Sequence, residues 1–98
     1  MIPKELIIYA AAREFAFKPE YILGNARNIY VNRARFALYK AFRLRGASYP
    51  QIGSWTNRHH TTVMHGVLRA GEIMASEPVY AQRVMRIAGV VEDKGDKA

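Results

Sequence analysis

Four prolines, Pro3, Pro19, Pro50 and Pro78, most constrain what this chain can fold into. Proline has no amide hydrogen and a fixed φ, so it breaks a helix interior but fits a first turn. Each of the four stands where a helix is expected to begin, and no segment alternates apolar and polar residues with period two. The chain therefore reads as all-α, about six helices and no sheet. The first is predicted from Pro3 to about Phe15, with Ile8, Ala11, Ala12 and Phe15 on one face. A short second helix covers Pro19 to Leu23, ended by Gly24, and Asn25 to Tyr30 reads as a loop. A third runs from Val31 to Arg45 and stops at Gly46, with Val31, Ala34, Leu38, Ala41 and Phe42 inward. Ser48 is placed to cap a fourth, Tyr49 to about Trp55. Thr56-Asn57-Arg58 is then a tight turn. The fifth starts at His59 or His60 and continues to about Ala75, turning Val63, Val67, Ala70 and Met74 to the core. The sixth runs from Pro78 to about Val91 with Tyr80, Val84, Ile87, Ala88 and Val91 inward. Residues 1–91 thus form one domain, and 92–98 a charged tail.

Charge narrows the partners. The 98 residues carry a formal net charge of +7, which favours a polyanion: nucleic acid first, an anionic membrane surface second. The longest strongly apolar run, Leu6 to Ala12, is too short to span a bilayer, and no secretory signal is visible. The absence of cysteine excludes disulfides and thiolate–zinc sites. A cytoplasmic protein held at the nucleoid by DNA is the expected location.

The positive charge is also concentrated. From Tyr21 to Gly71 there is no Asp or Glu, while Arg27, Arg33, Arg35, Lys40, Arg43, Arg45, Arg58 and Arg69 all fall there. On the third helix Arg33, Lys40 and Arg43 share the face opposite the core stripe, with Phe36 between them. A run of charge is usually a solvated face, but such faces normally mix signs. With no acid in the segment, phosphate is the natural counter-charge.

Within that segment, Arg58-His59-His60-Thr61-Thr62-Val63-Met64-His65-Gly66 joins a polar cluster to a helical apolar pattern. The amino end of a helix has free amides and a positive dipole end, which attract phosphate. Thr61 and Thr62 add hydroxyls for phosphates or base edges, and His60 can donate or accept. Thr61, His65, Arg69 and Glu72 continue one polar face along the helix. Helices four and five, joined by a short turn, make a helix-turn-helix whose second helix suits a DNA major groove. The bland alternative is that Thr61 or Thr62 caps the helix and the remaining residues are solvated.

Other chemistries fit less well. His60 and His65 are five residues apart and diverge on a helix, and no nearby Asp, Glu or Cys completes a metal site. Trp55, Tyr49 and Phe36 could stack on bases, but Trp55 suits an anchor between helices and Tyr49 a half-buried residue beside the turn. No carboxylate pair stands beside a nucleophile, and there is no glycine-rich phosphate loop. The chain reads as a binding protein rather than an enzyme, with no cofactor.

Pro50-Gln51-Ile52-Gly53 followed by Arg58 to Gly66 resembles the signature of the DNA-binding C-terminal domain of the bacterial chromosomal replication initiator DnaA. That family shows Pro-Glu-Ile-Gly, a short glycine-rich turn, then Arg-Asp-His-Thr-Thr-Val-Leu-His-Ala. The resemblance covers about Lys4 to Val91. It implies a fold similar to the Trp-repressor superfamily, reading a short asymmetric DNA box as a monomer. It further implies base contacts from His60 and Thr61, and backbone contacts from Thr62, His65, Arg58 and Arg69. Pro50 and Gln51 would lie where the turn approaches the DNA backbone. Arg27 is the nearest counterpart of the family's minor-groove arginine, displaced by about one position. The third-helix cations Arg33, Arg35 and Lys40 join the expected backbone set. Three departures stand out. His59 replaces the family's Asp, so an outward N–H would donate where a carboxylate accepts, which adds His59 to the expected base contacts. The turn is one residue shorter, with Asn57 where glycines are usual. No counterpart of the initiator's ATPase domain is expected.

Together these features point to sequence-specific binding of double-stranded DNA by a bacterial or phage regulator of replication or transcription, without ATPase activity. Competition or contact with the replication initiator is a further expectation, and no membrane partner is expected. Arg33 and Lys40 are expected to contribute similarly to the salt dependence of binding. Two other readings compete. One is a protein-interaction adaptor that docks on an acidic partner or on the initiation machinery; the other is architectural, non-specific DNA binding.

Overall fold

The computed structural model describes residues 3–89 and contains six helices and no strand among them. They are α1 (Lys4–Glu14), α2 (Pro19–Leu23), α3 (Ile29–Leu44), α4 (Tyr49–Thr56), α5 (His60–Ser76) and α6 (Pro78–Ala88). The expected inward placement of Val91 and the charged tail from Glu92 lie outside the described residues.

α3 is the axle of the fold, packing against each of the other five helices. Val31, Ala34, Leu38, Ala41 and Phe42 are buried on it, as the spacing predicts, and so are Ala37 and Tyr39. The helix starts two residues earlier than expected. Asn28 caps it, its side-chain oxygen accepting from the Tyr30 and Val31 amides at 3.0 and 2.9 Å. Sequence periodicity misses this turn because Ile29 and Tyr30 are both exposed, so no apolar stripe marks it. The core is completed by Ile7 of α1, Ile22 of α2, Ile52 of α4, Val63 of α5 and Val84 and Ile87 of α6. Ile7 and Ile73 are buried where the predicted stripes of their helices did not include them. Phe15 and Met74 are only partly buried.

Two contacts set the helix-turn-helix. Ser48 and Gln51 form a capping box at the start of α4: the Ser48 hydroxyl accepts from the Gln51 amide at 3.2 Å, and the Gln51 side chain accepts from the Ser48 amide at 2.9 Å. At the other end of α4, Asn57 takes the left-handed conformation, φ 58° and ψ 48°. Asparagine adopts that region more readily than most residues with a side chain, so it can stand in for glycine in this turn. The recognition end then meets α3 through Gly66, where an added Cβ would lie 2.5 Å from the Tyr39 ring.

Candidate nucleic-acid interface

The α4–α5 turn presents its polar residues at the surface. His59, His60, Thr62 and His65 are exposed and Thr61 is half-exposed. The helix cap is neither threonine but His59, whose Nδ1 accepts from the Thr61 amide at 3.1 Å. An imidazole nitrogen that accepts carries no proton, so in the neutral ring the proton sits on Nε2. The His59 and His60 rings lie against each other with centroids 4.4 Å apart. The first turn of α5 therefore combines helix-end amides, a tilted imidazole pair and two hydroxyls, with no carboxylate in the surrounding sequence segment.

Beside this turn a groove opens between the 25–27 loop, α3 and the start of α5, lined by Asn25, Arg27, Asn32, Tyr39, Asn57 and Thr62. Arg27 is exposed on its rim. The groove floor holds two arginines that sequence reasoning assigned to the DNA backbone. Arg35 is buried, at 6% exposure. Its Nε donates to the Ile22 carbonyl at 2.8 Å, and Nη1 to the Ala26 carbonyl at 2.6 Å and the Asn32 side chain at 3.1 Å. Its Nη2 donates to the Gly24 and Tyr21 carbonyls at 3.0 and 3.3 Å. Burial, and then the neighbouring Arg58 charge, holds this guanidinium below the usual arginine pKa. The donors of Arg35, expected to meet the DNA backbone, are thus engaged inside the protein. Arg58 is half-buried and its guanidinium also turns inward, donating to the carbonyls of Leu23, Thr56, Asn57 and Gly24. Nearby, burial pushes the Tyr39 hydroxyl pKa up, against the opposing pull of Arg58 and Arg35.

Two of the three cations on the expected face of α3 are engaged within the protein. Arg33 pairs with Glu77 at 2.5 Å and lies over the Tyr80 ring, its guanidinium carbon 5.0 Å from the centroid. The supposed lack of an acid partner was a property of the sequence segment, since Glu77 reaches back from the α5–α6 junction. Arg43 stacks over Tyr49 and donates to the Ala47 carbonyl at 3.1 Å. Lys40 remains half-exposed on α3. Arg69 is exposed but pairs with Glu72 at 3.0 Å. Pro50 and Gln51 are exposed at the start of α4, Gln51 holding its capping bond. Trp55 packs on Phe42 with ring centroids 5.0 Å apart, an anchor between helices.

Among the described residues, no three His, Cys, Asp or Glu side chains gather where a metal could bind, and no helix is long and apolar enough to cross a membrane. The architecture and the capped, polar turn define a helix-turn-helix domain. A family model described as the bacterial dnaA protein helix-turn-helix matches residues 4–69, and the chain belongs to that family. Its relatives include the chromosomal replication initiator protein DnaA of Neisseria meningitidis, 30% identical over 95 residues, which is 95% of this chain and 18% of that protein. The DnaA of Deinococcus radiodurans is 31% identical over 93 residues, 93% of this chain and 20% of that protein. The DnaA of Campylobacter concisus is 32% identical over 94 residues, again 93% of this chain and 21% of that protein. The chain thus spans about a fifth of the length of these curated relatives.

Proposed function

We propose that this chain binds double-stranded DNA in a sequence-specific manner, with the amino end of α5 in the major groove, and acts as a regulator of replication or transcription. The observation that carries this reading is the family match across residues 4–69, which spans the whole turn and the exposed first turns of α5. His60 and Thr61 read base edges. Thr62, His65, Lys40, Pro50 and Gln51 lie along the sugar–phosphate backbone, and Arg27 reaches the adjoining minor groove from the far side. Binding as a monomer, residence at the nucleoid and competition with a replication initiator for its boxes follow from the same reading. The relatives are named as chromosomal replication initiators. What this chain takes from them is box recognition.

His59 gives the reading a signature. Its Nδ1 is occupied by the Thr61 amide, so the nitrogen left to face a base is Nε2–H, a donor. A carboxylate at the same position could cap the helix with one oxygen and accept a base amino group with the other. The exchange of acceptor for donor disfavours the cytosine amino group and favours the O6/N7 edge of guanine. Selection of bound duplexes from a random pool tests both parts. A defined box must emerge for the wild type, and guanine must give way to cytosine at one position for His59→Asp. A footprint that disappears with competitor DNA of any sequence would instead assign architectural binding. Capture of a protein partner after nuclease treatment, with no footprint at all, would assign an adaptor.

A further inference from the structure

We infer that Arg58 is a positioning residue that holds the Arg27 loop against the recognition helix and does not itself touch DNA. The inference rests on the DNA-binding reading above. Arg58 is fixed at both ends. Its amide donates to the Gly53 carbonyl at 2.9 Å, and Gly53 must lack a side chain because a Cβ there would overlap the Arg58 carbonyl oxygen. That seats the Arg58 main chain on α4. Its side chain then crosses to the end of α2, with Nη1 3.4 Å from the Leu23 carbonyl and Nη2 on the Gly24 carbonyl.

The Gly24 oxygen is the shared node. A carbonyl has two lone pairs, and here it accepts from Arg58 and, at 3.0 Å, from Arg35. Arg35 also takes the Ala26 carbonyl at 2.6 Å. With the carbonyls of residues 24 and 26 turned to the guanidiniums, the intervening and following side chains, Asn25 and Arg27, are exposed across the groove from Asn57 and Thr62. The two DNA-facing parts, the loop with Arg27 and the first turn of α5, are thus joined through one side chain. Withdrawing Arg58 to a phosphate would leave the Leu23 and Gly24 carbonyls of the loop it supports without that donor. Both of its terminal nitrogens already point at main-chain oxygens.

A double-mutant cycle with Arg58→Met and Arg27→Ala, on the duplex selected by the wild type, tests this. Each single change is expected to weaken specific binding about tenfold, and the double variant no further than either alone, because both remove the same contact. Base preference should be lost at the same end of the box in both, with the positions read by His60 and Thr61 retained. Gly24→Ala should reproduce that loss with the charge intact, since its Cβ would lie 3.0 Å from the Glu20 carbonyl oxygen and displace the peptide. It also carries the test if Arg58→Met does not fold. Additive losses, an inert Arg27→Ala, or uniform weakening with a salt slope flatter by roughly one unit would overturn the inference, the last by making Arg58 a phosphate contact. If the wild type selects no duplex, it is the DNA reading that fails. Amide shifts of the free protein then still decide the coupling: Arg58→Met must move residues 24–28, and unmoved resonances there would end it.

Discussion

The two ends of α5 handle positive charge in opposite ways. Toward the carboxyl end, Arg69 pairs with Glu72 and Arg33 with Glu77, so the cations there are largely neutralised. Under the amino end, Arg35 and Arg58 give their hydrogen bonds to main-chain carbonyls. Carbonyl oxygens satisfy the donors but leave the net charge in place. The field therefore persists at the recognition end, where it adds to the helix dipole and to exposed Arg27, and fades at the other. A domain that must attract phosphate needs cations that are rigid yet not neutralised, and a guanidinium bonded to carbonyls is both.

The sharpest way to break this comparison is to break one contact of each kind, a guanidinium–carbonyl set and an ion pair. Arg35→Met should cost about 3 kcal/mol of folding stability, since the carbonyls of Ile22, Gly24 and Ala26 lose a charged donor in a buried place. Glu77→Gln, at an ion pair with both partners partly exposed, should cost under about 1 kcal/mol. Urea denaturation of the three proteins gives both numbers. Equal, small losses would mean that the carbonyl-bound arginine is not structural and that the two ends are built alike.

How much of this was legible in the sequence follows from which interactions are local. Helix order, the Ser48 cap and the inward face of α3 were readable because spacing and capping act over a few residues. The recognition turn was readable because its residue types and their order are specific. The burial of Arg35 had a signal in its position: it stands four residues after Val31 and three before Leu38, on the buried face. The Arg33–Glu77 pair and the Arg58–Gly24 bond could not be found that way, because they join residues 44 and 34 positions apart. Nor does spacing reveal that a histidine would cap α5. Histidine is outside the usual capping set, and only the Nδ1 geometry identifies it.

At the recognition end itself, His60→Ala or Thr61→Ala should each cost about 1–3 kcal/mol of specific binding, the worth of one good base contact. Neither should change stability by more than about 0.5 kcal/mol, because both side chains are at least partly exposed and His59 supplies the cap. Gel-shift titration against the selected box and a scrambled duplex separates the two effects. Unchanged preference in both variants would move base reading away from the start of α5.

The smallest effect is the one that tests the charge comparison most directly. Lys40 has no ion pair to set against it among the described residues, whereas Arg33 is held by Glu77. Lys40→Ala should flatten the salt dependence of binding by about one unit if it meets one phosphate. Arg33→Ala should change it less, because releasing a cation already paired with a carboxylate removes little net field. Glu77→Gln should steepen the slope by unmasking Arg33. Equal slopes for Lys40→Ala and Arg33→Ala would restore the simpler expectation of one uniform cationic face on α3. A steeper slope for Glu77→Gln alone would show that an acid 44 residues away in sequence sets how far along α3 the DNA is felt.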